Sequence, residues 1–168
     1  MARKKMAFPA GTVEVIEATR TRGTILCAAS ARGRNGMTIG WITIGNVWGR
    51  PCCVVLVRES RHTHTIIEGA DSFTVSVLPE SLQEAVDLFG EQSGRDMNKF
   101  EAAKVTPVKG QAVDSPYIKD AQLVIECKIA FRQTMDPELI RADYVKGCYI
   151  EGDFHTIYYG EIAAIHGK

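Results

Sequence analysis

The chain has no net charge, with 20 Lys and Arg against 20 Asp and Glu among its 168 residues. It therefore lacks the global field that holds a nucleic acid or an anionic membrane, and neither partner is expected. Its cysteines, Cys27, Cys52, Cys53, Cys127 and Cys148, are odd in number and show no C-x-x-C spacing. That pattern argues against a disulfide framework or a zinc site and fits a reducing, cytoplasmic setting. No apolar run approaches the length of a membrane span, and the basic opening at 1–7 has no apolar core behind it of the kind a secretory signal needs. Also missing are the G-x-x-x-x-G-K-[ST] phosphate loop, the G-x-G-x-x-G dinucleotide fingerprint and the G-x-S-x-G nucleophile elbow. Internal repeats and low-complexity segments are absent too.

What remains is the length of one domain, large enough to bury a core. Residues 1–12 read as a solvated arm, with Arg3, Lys4 and Lys5 in water and Pro9 and Gly11 opposing regular structure. Residues 13–168 form the domain. Short strands are expected at 13–18 and 24–30, and the apolar run CVVLV at 53–57 reads as a central strand buried on both faces. Residues 72–78, SFTVSVL, alternate Phe73, Val75 and Val77 with Ser72, Thr74 and Ser76, which predicts a strand with one polar side. Longer strands follow at 121–132 and 155–165. Ser60, whose hydroxyl can accept from first-turn N–H groups, is expected to cap a short helix through Ile67. Helical spacing predicts another over 82–89, and Asp136-Pro137-Glu138 opens a third, short one to about Tyr144. Many strands, few short helices and no βαβ alternation predict a mainly β fold, an antiparallel barrel.

The chain is organised around residues 35–51, NGMTIGWITIGNVWGRP. Residues 33–36, with two glycines and an asparagine, can reverse the chain between the run 24–30 and the run that begins at Met37. Gly40 and Gly45 interrupt that second run, and glycine in a strand marks either a bulge or a close approach to the backbone. Trp41 is either core or a binding surface.

Two clusters carry charge suited to an anion. Arg58, Ser60, Arg61 and Thr63 fall where a central strand passes into a helix, so two guanidinium forks and two hydroxyls join exposed N–H groups. The bland alternative is a solvated charged turn. Ser93, Gly94 and Arg95 can form a nest of N–H groups, to which Lys99 adds a movable charge. His62 and His64 invite a metal, but at i and i+2 they diverge on a helix and no third ligand stands near.

Taken in order, Asn35, Met37, Thr38 and Trp41, then Pro51, a hydrophobic strand, 58–63 RESRHT, and 93–96 SGRD followed by Lys99-Phe100 resemble the flavin reductase-like FMN-binding domain family, above all its flavoredoxin-like branch. The resemblance spans the chain from about Ile25 onward. It implies an FMN-binding split β-barrel with added helices, a homodimer, and FMN as cofactor. By the same resemblance Thr38, Ile39, Gly40 and Trp41 lie along the flavin ring, with Thr38 bonding the ring edge, Met37 belongs to the cofactor site, and Asn35 either contacts the ring or makes the turn. Arg58, Ser60, Arg61 and Thr63 take the phosphate, and Ser93, Gly94, Arg95 and Lys99 lie near the flavin. The segment GDFHT resembles the family's late G-D-H, with Phe154 inserted before His155, and assigns His155 a structural or substrate-facing place, Tyr158 being a similar case. The implied function is an oxidoreductase working through bound FMN, either an NAD(P)H-dependent flavin reductase or an electron carrier that meets another redox protein. Without a Rossmann unit, NAD(P)H would have to stack on the flavin itself. The alternatives are a split-barrel sensor that holds flavin or haem without turnover and a barrel that has become an interaction module.

Overall fold

Period-two burial builds the architecture seen in the computed structural model, which describes residues 3–168. The main sheet holds β1 (Lys4–Met6), β2 (Thr24–Ser30), β3 (Gly33–Ile39), β4 (Ile42–Val47), β5 (Arg50–Arg58), β6 (Ser72–Val77), β9 (Leu123–Thr134) and β10 (His155–Gly167). A small ribbon is made by β7 (Pro107–Lys109) and β8 (Pro116–Ile118). Five helices punctuate them: α1 (Thr12–Thr21), α2 (His62–Ile67), α3 (Gln83–Glu91), α4 (Lys99–Ala102) and α5 (Asp143–Lys146). The strand pairings are antiparallel. The protein is mainly β with short helices, as the patterning predicts.

The order β3-β2-β6-β9-β10-β5-β4 places two sequence neighbours at opposite ends of the sheet. Because only Gly40 and Trp41 join β3 to β4, the sheet has to curl until its two edges face each other. Among the described residues no ladder joins those edges, so the barrel stays open at a seam. The chain turns between β2 and β3 at Ala31-Arg32, earlier than the glycines at 33–36 suggest. Those glycines lie within β3, and Gly36 is needed for space, since a Cβ there would stand 2.8 Å from the Phe89 ring.

Alternating residues separate two cores. Leu26, Ala28, Phe73, Val75, Val77, Ile125 and Cys127 fill the barrel interior with Val55, Val57 and Tyr158. Their neighbours Ile25, Cys27 and Val124 face outward onto Val86 and Phe89 of α3, Phe100 of α4 and Ile118 of β8. The expected polar side of β6 is therefore not solvated. Ser72 and Thr74 donate to Ser115 Oγ and the Pro116 carbonyl at 3.0 and 2.6 Å, and Ser76 Oγ accepts from the Ile118 N–H at 3.2 Å. A segment distant in sequence covers this face and satisfies its hydroxyls, as burial requires.

The amino-terminal expectations need two corrections. Residues 12–21 are a helix where a strand is expected at 13–18, because Thr12, Val15, Ala18 and Thr19 are the residues that reach the core, at helical spacing. Nor is Arg3 solvated. It donates to His166 Nδ1 at 2.6 Å and to the Ala121 carbonyl at 2.6 Å, while β1 pairs with the end of β10 beyond the stretch that β5 covers. No helix among the described residues is long and apolar enough to cross a membrane.

Candidate functional site

The seam of the barrel is also where the chain opens a cleft, in two adjoining chambers. One, of about 190 Å³, is bounded by the end of β3, Gly40, Trp41, and Leu56, Arg58 and His155 of the β5–β10 pair. The other, of about 140 Å³, lies between β3, the start of α2 and the end of α3, and is lined by Asn35, Arg61, His62, Thr63, Arg95 and Lys99 among others. Met37, Thr38 and Arg61 line both, so the chambers are adjacent across these side chains.

Antiparallel register sets the first chamber. His155 opens β10 directly opposite Arg58 of β5. Its imidazole is only 7% exposed and sits 5.1 Å, centroid to centroid, from the Trp41 ring. Trp41 itself remains 46% exposed, and no atom lies within 4 Å of where a Cβ on Gly40 would be. The missing side chain and the open indole leave a strand edge accessible to a flat molecule. Burial, reinforced by the Arg58 and Arg61 guanidinium groups, pulls the His155 imidazole down to about 4, against the opposing pull of Asp153.

The second chamber is cationic. Lys99, at the start of α4, is 3% exposed and donates to the Phe89 carbonyl at 3.0 Å, its amine lying 5.2 Å from the Phe89 ring centroid. Burial, with Arg61 adding to it, lowers this amine to about 8, although Cys27 opposes the shift. His62 is likewise lowered, by burial first and then by Arg95 and Lys99. Arg61 makes no side-chain hydrogen bond or ion pair with another described residue. The one carboxylate lining this chamber is Glu91. Positive charge is thus concentrated and only partly compensated, the condition for holding an anion.

Residues 18–168 match the family model described as the flavin reductase like domain. The chain belongs to that family. A relative from Archaeoglobus fulgidus, described as an uncharacterized protein, is 27% identical over 156 residues, covering 92% of this chain and 78% of its own. Among solved structures, the flavoredoxin of Desulfovibrio vulgaris (Miyazaki F) aligns with a TM-score of 0.69 at 23% identity, over 88% of this chain and 70% of that one. An FMN-binding protein from Thermus thermophilus with bound 1-cyclohex-2-enone aligns at 0.66 and 21%, over 85% and 68%. These likenesses show the fold.

Within this flavin reductase-like domain, the expected site residues part into two groups. Asn35, Met37, Thr38, Ser60, Arg61, Thr63, Ser93, Arg95 and Lys99 meet at the second chamber, Ile39, Gly40, Trp41, Arg58 and His155 at the first, and Gly94 lines neither. Several carry other engagements than those expected. Arg58 donates to the Asp153 and Cys148 carbonyls at 2.8 and 3.0 Å, and Ser60 Oγ donates to Asp153 at 2.7 Å, so both hold the 148–153 segment. Ser60 does not cap α2 either; the residue at that position is Arg61, with no side-chain cap. The Thr38 hydroxyl donates to the Val86 carbonyl of α3, and the Ile39 side chain belongs to the main core. Asn35 donates to Thr63 Oγ1 at 3.0 Å, and Gly94 packs so closely on Asn35 that a Cβ would come within 2.5 Å of it. Rather than forming an open nest, the turn has Ser93 Oγ accepting from the Arg95 N–H, while Arg95 reaches the Ser60 carbonyl at 2.9 Å.

Four contributors lie outside the expected set of site residues. His62 lines the cationic chamber, whereas His64 turns to Thr156 at 3.0 Å. Phe89 and Gly90, at the end of α3, close the same chamber. Tyr149 reaches His155 from a short turn at Gly147–Tyr149. Only the position of His62 between Arg61 and Thr63 signalled its role in the sequence.

Proposed function

We propose that the chain is a flavoprotein that holds FMN in this cleft and serves oxidoreduction. One observation carries the reading: a cationic chamber, with an unpartnered Arg61 guanidinium and a single carboxylate, adjoins a chamber edged by an exposed indole and a bare glycine backbone. A phosphate monoester carries close to two negative charges at neutral pH and suits the first. A flat aromatic ring suits the second.

The residues present fit this group. Arg61 and Lys99, with Arg95 and His62 beside them, would hold the phosphate, and the backbone at 37–41 with Trp41 would lie along the ring. When bound, the flavin supplies the hydride or electron chemistry, and the protein tunes it through hydrogen bonds and nearby charge. The chain's own part is to bind, to orient and to present donors. Asn35 and Thr63 tie β3 to α2 and keep the two chambers in register, while Arg58 and Ser60 anchor the segment that carries His155. We take residues 13–168 as the flavin-binding unit, onto which residues 4–6 add an edge strand. A homodimer is supported by a surface cluster in which Trp48, 66% exposed, meets Phe131 at 6.0 Å between ring centroids.

Two finer activities remain within this proposal, reduction by NAD(P)H and electron transfer with a redox protein. Anaerobic addition of NADH and NADPH to the FMN-loaded chain separates them. Rapid bleaching of the flavin bands by either nucleotide is expected of a reductase. Bands that persist with both and yield to dithionite would identify a carrier.

The buried amine supplies a pH dependence. Lys99 loses its charge near pH 8, and a neutral amine no longer pairs with phosphate. The affinity for FMN should therefore fall as pH rises from 7 to 9.5, while that for riboflavin changes little. Parallel titrations of both ligands at the two pH values check this, and an FMN affinity that holds or rises would remove Lys99 from the phosphate.

A further inference from the structure

A second role for the residues around His155 emerges from the contacts of Tyr149. Its hydroxyl oxygen stands 2.6 Å from His155 Nδ1 and 3.1 Å from Met135 Sδ, and its ring is 7% exposed. The ring is fixed on three sides: stacked on Phe154 at 5.1 Å and 23°, beneath the Arg58 guanidinium at 5.1 Å, and edge-on to His155 at 5.5 Å. Arg58 also donates to the Cys148 and Asp153 carbonyls on either side of this turn. A phenol held in this way has its one hydrogen to give, and two acceptors within reach. A ring nitrogen is a far better acceptor than a thioether sulfur.

We infer that Tyr149 is a positioning residue that donates its hydroxyl hydrogen to His155 Nδ1, so that the imidazole carries its own hydrogen on Nε2. The imidazole lines the Trp41 chamber and is therefore a hydrogen-bond donor there. The Trp41 and Tyr149 rings pack against it at 5.1 and 5.5 Å between centroids. Fixing one tautomer through the partner of the other nitrogen is a general way to orient histidine. The inference rests on the flavin reading only for what the donor meets. There it would serve the ring edge or the carbonyl of an electron acceptor, without giving up a proton. The groups facing His155 oppose its protonation on balance: Arg58 from β5 and Arg61 before α2 against Asp153. The hydrogen bond from Tyr149 opposes it further, because it stabilises the neutral ring. The insertion of Phe154 ahead of His155 now has a purpose, since that ring is the platform on which Tyr149 stacks.

The test is the tautomer of His155, read from proton–nitrogen correlation spectra of the chain labelled with nitrogen-15 at histidine, and assigned by the signals lost in His155→Gln. The wild-type chain without flavin is expected to show hydrogen on Nε2 and a bare Nδ1 at neutral pH. Tyr149→Phe keeps the stacked ring and removes only the hydroxyl. It should give a mixture of tautomers and a higher titration midpoint for His155. In the FMN-loaded protein it should lower kcat about tenfold, as expected for one hydrogen bond of ordinary strength, with FMN affinity within about twofold. Hydrogen on Nδ1 in the wild-type chain would overturn the inference, as would a tautomer and midpoint unchanged in Tyr149→Phe. Failure of the chain to bind FMN would instead overturn the functional reading, and the tautomer spectra would still decide the role of Tyr149.

Discussion

Arg61→Ala should weaken FMN binding by roughly ten- to a hundredfold while leaving riboflavin within about twofold, the span expected when one charge-assisted hydrogen bond is removed. The asymmetry follows from position. Arg61 lines both chambers, has no other partner among the described residues, and sits beside Lys99 and His62 at the cationic end. Only FMN carries the phosphate that such a guanidinium would grip in bidentate fashion. By contrast, Arg58 is engaged with the 148–153 segment, so Arg58→Ala should disturb that segment and His155 before it touches the phosphate. Isothermal titration of both ligands against both variants checks the pair. Equal weakening of FMN and riboflavin by Arg61→Ala would place that side chain against the ring.

Glu126→Gln should cost about 2–3 kcal/mol of stability, the usual consequence of leaving a buried hydrogen-bond donor without its charged acceptor. Glu126 is fully buried in β9. One carboxylate oxygen accepts from the Gln111 N–H at 2.9 Å and meets His166 Nε2 at 2.6 Å; the other accepts from the Ala112 N–H at 2.6 Å. Since Arg3 donates to His166 Nδ1, the imidazole hydrogen lies on Nε2 and completes a third donor to the same carboxylate. An amide is nearly isosteric but can offer only one oxygen, so its NH2 must face a donor whichever way it turns. The same contacts set a pH dependence. Burial alone would raise the Glu126 carboxyl, but the His166 and backbone hydrogen bonds outweigh it and leave it below its ordinary value of 4.5. Its contribution is therefore complete above that ordinary value and is lost as pH falls through the lower folded one. Chemical denaturation at pH 7 should show the full deficit in Glu126→Gln, and the gap between variant and wild type should narrow in acid.

The parts of the fold that could be read from the chain are those in which neighbours along the strand decide the outcome. CVVLV at 53–57 lies in β5, and 123–132 of the expected run in β9, because their apolar residues meet the core at every second position. But β5 is not buried on both faces as expected: Cys53, Val55 and Val57 reach the core while Val54 and Leu56 stay half-buried. The polar face of β6 could not be read in this way, since Ser115 and Pro116, some forty residues away, bury it. Residues 12–21 misled because Val13, Val15 and Ile16 mimic a strand, and only the packing of Val15 and Ala18 against the sheet selects the helix. At the site, the stretch 37–41 and the cations Arg61 and Lys99 were legible from motif order. The engagements of Arg58 and Ser60 were not, because their partner Asp153 lies over ninety residues further on. Tyr149 was hidden for the same reason: its role depends on a turn whose place against β5 is set by Arg58.

The central claim is that the two chambers together take a flavin and its phosphate. It is tested most directly by titrating the purified chain with FMN and with riboflavin, and following the shift of the visible flavin bands or the quenching of their fluorescence. Saturable binding of one FMN per chain, at least about tenfold tighter than riboflavin, is the result expected from a charge-assisted phosphate contact. Equal affinity for the two would contradict the cationic chamber as a phosphate site, and no binding of FMN at all would contradict the account as a whole.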